Sequence, residues 1–404
     1  MILSRVKTLF LAVFVTLMAV ALISFPQESF EASIRGLDMW WKVVFPSLLP
    51  FFIVSEMLIG FGVVSFIGVI LEPIMRPLFR VPGIGGFVWA MGMASGFPAG
   101  AKLTARMRQE EQLTAIEAER LVSFTNSSNP LFIFGAVAVG FFHDPKIGLV
   151  LALAHYLGNI CVGLIMRFHG ASDQPKKSKG NKRISIIEAF RVLHRTRVKD
   201  NRPIGKLLGD AVLSSIKTLL MIGGFIILFS VLNQILSLVN ITQLIGLLIS
   251  FFLQLLHLSP DLSVPFISGL FEITLGSDLT SDTDASLLHK VIITSFILGF
   301  CGFSVQAQVA SILSETDIRF YPFFIARIFH GFIASIFAFL LWTPLYENAT
   351  ESSQSLAIPV FNMTLQSSNE MAQLWNVLIE LGPIFTILSL FLYVILLSRR
   401  LFER

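Results

Sequence analysis

Charged residues are scarce in this chain, and their scarcity disfavours a soluble fold. Lys, Arg, Asp and Glu make up 14% of the 404 residues, whereas about 25% is usual for a soluble domain. The only two cysteines, Cys161 and Cys301, each lie in an apolar run, which disfavours a disulfide or metal pair. No Walker A, His-Glu-x-x-His or Gly-x-Ser-x-Gly pattern occurs. We therefore expect no enzyme, no catalytic or metal site and no cofactor.

Hydrophobic residues are abundant instead, at 54% of the chain. Apolar runs of about 20 residues, the length that crosses a bilayer, recur throughout. The composition predicts an all-α polytopic membrane protein whose main partner is the lipid bilayer, and no nucleic acid. The first run, about 9–23, is followed by no small-x-small cleavage pattern, which favours a retained helix over a cleaved signal peptide.

Basic residues predict the orientation. The stretch from Lys176 to Lys206 holds 11 of the 30 Lys and Arg residues, and such a segment stays in the cytoplasm. No Lys or Arg lies between Arg327 and Arg399, so the polar stretch 346–375 is expected on the opposite side. Both termini are then predicted to be cytoplasmic.

An internal repeat is visible at a nearly constant spacing. Lys42 and Ser55 recur as Lys217 and Ser230, 175 residues later. The broken apolar segment at 95–98 (SGFP) recurs 173 residues later at 268–271 (SGLF), and each is followed by a helix with polar residues at its centre. The pattern predicts two related halves.

The predicted organisation follows from this repeat. It comprises an N-terminal helical segment (residues 1–41), two repeats (42–169 and 206–345), a basic linker (170–205), a loop (346–375) and a C-terminal helical segment (376–404). If both broken segments are re-entrant hairpins and the short helices 64–79 and 241–257 lie at the interface, eight crossings remain: 8–25, 43–60, 115–140, 147–168, 206–237, 285–313, 319–343 and 376–398. Helices 43–60 and 206–237 then run in opposite directions, which is an inverted repeat typical of secondary transporters.

The chain breaks are the candidate binding elements, because non-helical backbone at membrane depth is tolerated where it lines a cavity. Helix N-termini at two hairpin tips favour anions, and the polar-centred helices add amides and hydroxyls. The predicted site residues are Ser95, Gly96, Phe97, Pro98, Lys102, Asn126, Ser127, Asn129, Gly269, Glu272, Ser304 and Gln306. The alternative role for these residues is helix packing and interhelical hydrogen bonding.

Ionisable residues in apolar spans are costly and often functional. Glu272 is a candidate carrier of a coupling proton or a partner for a cation such as Na⁺, and Lys102 could face an anion or extend to the surface. Glu56 is either a lone acid or the partner of Lys102. His155, Arg327 and His330, also within or near spans, are expected to have structural roles.

Three segments carry a resemblance to a known family: 40–50 (WWKVVFPSLLP), 95–102 (SGFPAGAK) and 125–130 (TNSSNP). They resemble the sporulation integral membrane proteins with a Gate, or nucleoside recognition, domain, an architecture similar to concentrative nucleoside transporters. The resemblance implies transport of dipicolinic acid (pyridine-2,6-dicarboxylate) from the mother cell toward the forespore, across the outer forespore membrane. Nucleoside carriers place Gln, Asn and Glu at the hairpins, whereas the first hairpin here offers Ser95, backbone and Lys102.

Three functional hypotheses follow. The first is a secondary carrier of a small anionic solute, dipicolinate by the resemblance, acting between the hairpin tips and the polar-centred helices. The second is a carrier of nucleosides or other small solutes. The third is a non-transporting membrane scaffold for spore assembly. The sequence leaves open the coupling ion, the direction of flux and whether the protein forms a homo-oligomer.

Overall fold

A computed structural model describes residues 2–170 and 186–348, and all regular structure in these residues is helical, which confirms the all-α class. The α-helices are α1 (Ile2–Ser24), α2 (Pro26–Met39), α3 (Phe45–Gly60), α4 (Val63–Phe79), α5 (Ile84–Ser95), α6 (Ala99–Gln109), α7 (Ala115–Thr125), α8 (Ile147–Met166), α9 (Ile186–Asp200), α10 (Ile204–Leu238), α11 (Ile241–Leu255), α12 (Ser263–Phe271), α13 (Ile273–Asp282), α14 (Leu287–Phe300), α15 (Gly302–Leu313) and α16 (Phe320–Trp342). π-helical turns cover Trp40–Val44, Leu131–Phe141 and Thr343–Glu347, and a 3₁₀ turn covers Pro260–Leu262.

Four stretches within the described residues are long and apolar enough to cross a membrane: Ile147–Met166, Ile204–Leu238, Leu287–Leu313 and Phe320–Glu347. They correspond to four of the predicted crossings. Large apolar side chains along α16, including Phe332, Ile336 and Phe339, are more than half exposed on one face, as expected for contact with lipid. The chain is therefore a polytopic membrane protein.

Two bent pairs of helices overlap two further predicted crossings, 8–25 and 43–60, and each pair is long and apolar enough to span if it is taken as one segment. The axes of Leu11–Ser24 and Pro26–Lys42 differ by 103°, and those of Leu48–Gly60 and Val63–Phe79 differ by 82°. At the second bend Gly62 has a positive φ of 78°, which glycine adopts without a steric cost. Helix α4 thus turns nearly perpendicular to α3. The position of α4 along the membrane interface stays a prediction.

The two interrupted segments form helical hairpins. α5 and α6 pack together around the break Gly96-Phe97-Pro98, as predicted. The second break was predicted at Gly269, but the chain leaves the helix at Glu272, between α12 and α13. Gly269 lies inside α12, where it is a packing glycine: a Cβ on Gly269 would lie 2.4 Å from Cδ1 of Ile297, and a Cβ on Gly276 of α13 would lie 2.0 Å from the Gly269 Cα.

Both polar-centred helices are also broken, and the prediction of continuous helices over 115–140 and 285–313 was wrong. α7 ends at Thr125, residues 126–129 have no regular structure, and a π-helical turn follows from Leu131. In the second half Cys301 takes a left-handed conformation (φ 65°) between α14 and α15. Asn and Ser side chains compete with the helix for backbone hydrogen bonds, which accounts for the first break.

The basic linker is not a simple loop, because it contains α9. This helix packs on α4, where the rings of Phe66 and Phe190 lie 5.0 Å apart. The rest of the linker at 171–185, the predicted loop from 349 to 375 and the predicted helix 376–398 lie outside the described residues.

Candidate functional site

A cavity of about 520 Å³ lies where the two hairpin tips approach the two broken helices. Residues of α3, α10 and the π-helical turn after Pro130 complete its wall. Its polar lining consists of Lys42, Ser95, Ser128, Asn129, Glu272, Thr274, Ser304 and Gln308. The remaining wall is apolar and includes Phe97 and Phe132. We call this space the central cavity.

The first hairpin tip is neutral and tied in place by Asn129. The Asn129 side-chain Nδ2 donates to the Ser95 carbonyl oxygen at 2.9 Å, and its Oδ1 accepts from the Phe132 amide at 2.8 Å. One amide therefore holds the end of α5 and caps the turn that follows the break in α7. Helix α6 begins after Pro98 without a side-chain cap, so the positive end of its dipole faces the tip region.

The second hairpin tip carries a carboxylate. Glu272 is 7% exposed and lines the central cavity. Its Oε2 accepts from the Leu275 amide at 2.8 Å, so Glu272 caps the N-terminus of its own helix α13. The helix N-terminus that was predicted to attract an anion at this tip is thus already capped by the carboxylate of Glu272. Among the described residues that line the cavity, Glu272 and Lys42 are the ionisable ones, and Lys42 pairs with Asp38 at 2.7 Å.

Backbone carbonyl groups at the ends of the broken helices accept hydrogen bonds from side chains of the protein itself. The fully buried Arg327 of α16 donates to the carbonyl oxygens of Ser123 and Asn126 and to Oδ1 of Asn159. In the second half, Gln306 Nε2 donates to the Phe300 carbonyl oxygen at 3.1 Å. A permanent cation at the carbonyl end of α7 is favoured by the helix dipole, and it leaves fewer free oxygens for a bound metal ion.

A histidine pair joins the two halves beside this cation. His155 of α8 and His330 of α16 are fully buried with ring centroids 4.7 Å apart, and His330 Nε2 lies 2.8 Å from the His155 carbonyl oxygen. His155 Nε2 in turn accepts from the Ser128 amide at 3.0 Å. These residues are 175 positions apart, the spacing of the repeat.

The structure brings only some of the predicted site residues together. Ser95, Gly96, Phe97, Asn129, Glu272 and Ser304 line the central cavity. The other predicted residues, Pro98, Lys102, Asn126, Ser127, Gly269 and Gln306, do not line it. Asn126 and Ser127 are fully buried and do not line the cavity, and the side chain of Asn126 has no hydrogen-bond partner among the described residues.

Four polar residues that line the central cavity were absent from the predicted set, and Lys42 is one of them. Ser128, Thr274 and Gln308 line the central cavity, and each lies within a few residues of a predicted position. Ser128 and Gln308 stand in the two polar-centred segments, so the polar pattern could have indicated them. Thr274 follows Glu272 by two residues, and its role depends on the position of the break, which the pattern misplaced.

Lys102 lies in a second, charged cavity of about 480 Å³. Its Nζ is 3.3 Å from Glu56 Oε1 and 4.9 Å from the centroid of the Phe52 ring. Glu56 is thus the partner of Lys102, one of the two roles expected for it. Lys102 is therefore separate from the central cavity, although residues of the same hairpin line both cavities.

Comparison with known proteins identifies the relatives of this fold. The family model described as Gate, nucleoside recognition, matches residues 41–142 and 219–319. The chain is 58% identical over 403 residues to the sporulation integral membrane protein YlbJ of Bacillus subtilis (strain 168), covering 99% of this chain and 98% of that protein. No solved structure matches the chain. The two matched stretches each contain one hairpin and one broken helix.

Proposed function

Because the chain belongs to the Gate family of sporulation integral membrane proteins, we propose that it is a secondary carrier that moves dipicolinate from the mother cell toward the forespore. The observation that carries this proposal is the central cavity, which both hairpin tips line. Discontinuous helices around a site at membrane depth are the arrangement that transporters use to bind small solutes. The proposed location is the outer forespore membrane, with both termini cytoplasmic.

The dimensions of the cavity suit a small aromatic solute. Its volume of about 520 Å³ falls in the range of about 300–1,000 Å³ that is usual for small-molecule sites. Phe97 and Phe132 offer apolar surface for a flat ring. Asn129, Ser304 and Gln308 supply the convergent polar groups that fix the orientation of a ligand.

The charge pattern supports movement of a carboxylate together with a proton. The positive end of α6 favours one carboxylate of the solute at the first tip. A second carboxylate near Glu272 would be repelled unless the two groups share a proton. Proton uptake by Glu272 therefore couples to solute binding in this proposal. Na⁺ is the weaker candidate, because Arg327 and Gln306 hold carbonyl oxygens at the helix breaks.

The test is flux through purified protein in vesicles that contain trapped Tb³⁺. Entry of dipicolinate forms the luminescent terbium chelate, so the readout needs no second enzyme. We expect a luminescence rise that depends on the protein and is accelerated by a proton gradient. Absence of flux in both protein orientations, under proton and Na⁺ gradients of either direction, would refute the carrier proposal and favour the scaffold role.

A nucleoside carrier is the second candidate, because the matched family model is described as nucleoside recognition. Amides such as Asn129 and Gln308 also suit hydroxyls and ring nitrogens. The same vesicles separate the two solutes. An excess of uridine or adenosine should leave dipicolinate entry unchanged, whereas strong competition together with direct nucleoside uptake would favour the second candidate.

A further inference from the structure

Two cavities lie end to end in one groove of the molecule. The charged cavity and the central cavity are both lined by α3, the first hairpin, α10 and α15. Along α15 and the turn after it, the lining passes from Ser304 and Gln308 in the central cavity to Ile312 and Glu315 in the charged one. At 3.6 residues per turn, this series follows one continuous face of the helix.

A buried apolar cluster separates the two spaces. Its members are Trp40, Leu48, Phe52, Ala99, Leu219, Ile222 and Ile226. Leu48, Ile222 and Ile226 face the central cavity, whereas the Phe52 ring contacts Lys102, which lines the charged cavity. Phe52 and Leu219 are 2% and 0% exposed, so the cluster is tightly packed at these two side chains.

The charged cavity has more basic than acidic side chains. Its ionisable lining comprises Lys102, Arg106, Arg202 and Lys217 against Glu56, Asp210 and Glu315. Arg202 is engaged by Asp210 at 2.9 Å, and Arg106 by Glu110 at 2.8 Å. Lys102 is more deeply buried, with its side chain 14% exposed against 42% for Arg106. Its ammonium has three donors, and among the described residues its ion pair is with a single acid, Glu56, at 3.3 Å.

We propose that the charged cavity is a second binding station for a small carboxylate, in which Lys102 exchanges Glu56 for the carboxylate of the solute. The apolar cluster around Phe52 and Leu219 is the barrier that separates this station from the central cavity. This inference rests on the proposed carrier function. It places the solute-binding position of Lys102 at a different depth from the position that Glu272 lines.

Thiol labelling tests both the barrier and the station without measuring flux. In a Cys161→Ala background with the fully buried Cys301 retained, single cysteines are placed at Thr218 in the charged cavity and at Ser304 in the central one. Leu220→Cys, on the exposed apolar face of α10, is the matched control for a thiol that lies outside both cavities. An anionic membrane-impermeant reagent is added to either side of the vesicles.

The barrier predicts different accessibility from one side. From the side that reaches Thr218→Cys fastest, labelling of Ser304→Cys should be at least about tenfold slower, and Phe52→Ala or Leu219→Ala should remove most of that difference. Two barrier variants are used because either one could fold poorly. Equal labelling of both cysteines with Phe52 and Leu219 intact would overturn the barrier.

Dipicolinate protection tests the station. Dipicolinate should slow the labelling of Thr218→Cys, and Lys102→Gln should abolish that protection while leaving protection of Ser304→Cys in place. Protection at Ser304→Cys alone, or protection of Thr218→Cys that survives Lys102→Gln, would refute the second station and leave the carrier proposal standing. Absence of protection at both positions would contradict the carrier proposal as well.

Discussion

Both hairpins depend on glycines in close backbone contacts, but they differ in the chemistry of their tips. In the first, a Cβ on Gly92 or Gly100 would lie within about 2 Å of the Thr125 carbonyl oxygen at the break of α7. In the second, Gly269 and Gly276 allow the two arms to touch directly. The first tip is neutral and tied by Asn129, whereas the second exposes Glu272 to the cavity. The repeat therefore preserves a scaffold while dividing the chemistry between its halves.

The strongest test of the shared scaffold is the addition of a single methyl group to a glycine in either hairpin. Gly276→Ala and Gly92→Ala place a Cβ about 2 Å from backbone atoms, so neither contact can relax by a side-chain movement. We expect both variants to lose most folded, monodisperse protein after solubilisation. Gly224→Ala is the control, because no atom of the described part of the chain lies within 4 Å of a Cβ placed there. Normal yield and Tm for one hairpin variant would limit the shared packing to the other half.

The difference between the tips is tested by Glu272→Gln. Gln can still accept from the Leu275 amide, so the helix cap and the fold should survive, but the proton-binding group is lost. We expect flux of dipicolinate to fall about tenfold or more, the effect of losing one charge-assisted hydrogen bond, and its pH dependence to flatten. Glu31→Gln, on the exposed side of α2, should behave as the native protein. An unchanged pH profile in Glu272→Gln would contradict proton coupling at the second tip.

A smaller effect should separate a tied tip residue from an untied one. Asn129→Ala removes two hydrogen bonds that hold the first tip, whereas Ser304 is involved in one long contact with Gln308 at 3.5 Å. Loss of a helix cap costs about 1 kcal/mol, so Asn129→Ala should lower Tm while Ser304→Ala should not. Both should weaken dipicolinate protection of a cavity cysteine about three- to tenfold. Equal Tm values would show that Asn129 does not brace the tip.

The smallest expected effect concerns the far end of the first hairpin. Arg108 of α6 forms a bidentate pair with Asp317 in the loop before α16, at 2.7 Å for both bonds. This hydrogen bonding lowers the pKa of Asp317. A lowered pKa stabilises the fold above the usual Asp value of about 3.9, and the contribution is lost as pH falls through the folded-state value. Asp317→Asn should lower Tm by no more than about 2 °C at neutral pH. The difference should vanish in acid.

Much of the fold was predictable because hydropathy and repetition report on burial. Helices α8, α10 and α16 begin and end within a few residues of their predicted bounds. The break at Glu272 was misplaced because Gly269 looks like a helix breaker, whereas tertiary packing keeps it helical. The breaks at 126–129 and Cys301 were missed because long apolar flanks dominate the periodicity.

The candidate site was most directly predictable where glycine and proline interrupt the helical backbone. The Gly96-Phe97-Pro98 break identifies a cavity wall directly, since glycine and proline interrupt a helix for local reasons. Asn126 and Lys102 were grouped with the site by proximity in sequence, but three-dimensional packing directs them elsewhere. Whether a polar residue faces the cavity depends on the helices that pack around it, which lie more than a hundred residues away in the chain. The pattern of a single sequence does not identify those neighbours.

Arg327 also bears on the order in which the protein enters the membrane. An arginine at the centre of an isolated spanning helix costs about 2.5–3.5 kcal/mol on insertion. Its acceptors in α7, α8 and the break precede it by 204, 168 and 201 residues, so they have already been synthesised when α16 emerges. The first half can thus act as a template for insertion of the second. The second half expressed alone should integrate α16 poorly, and co-expression of the first half should restore it.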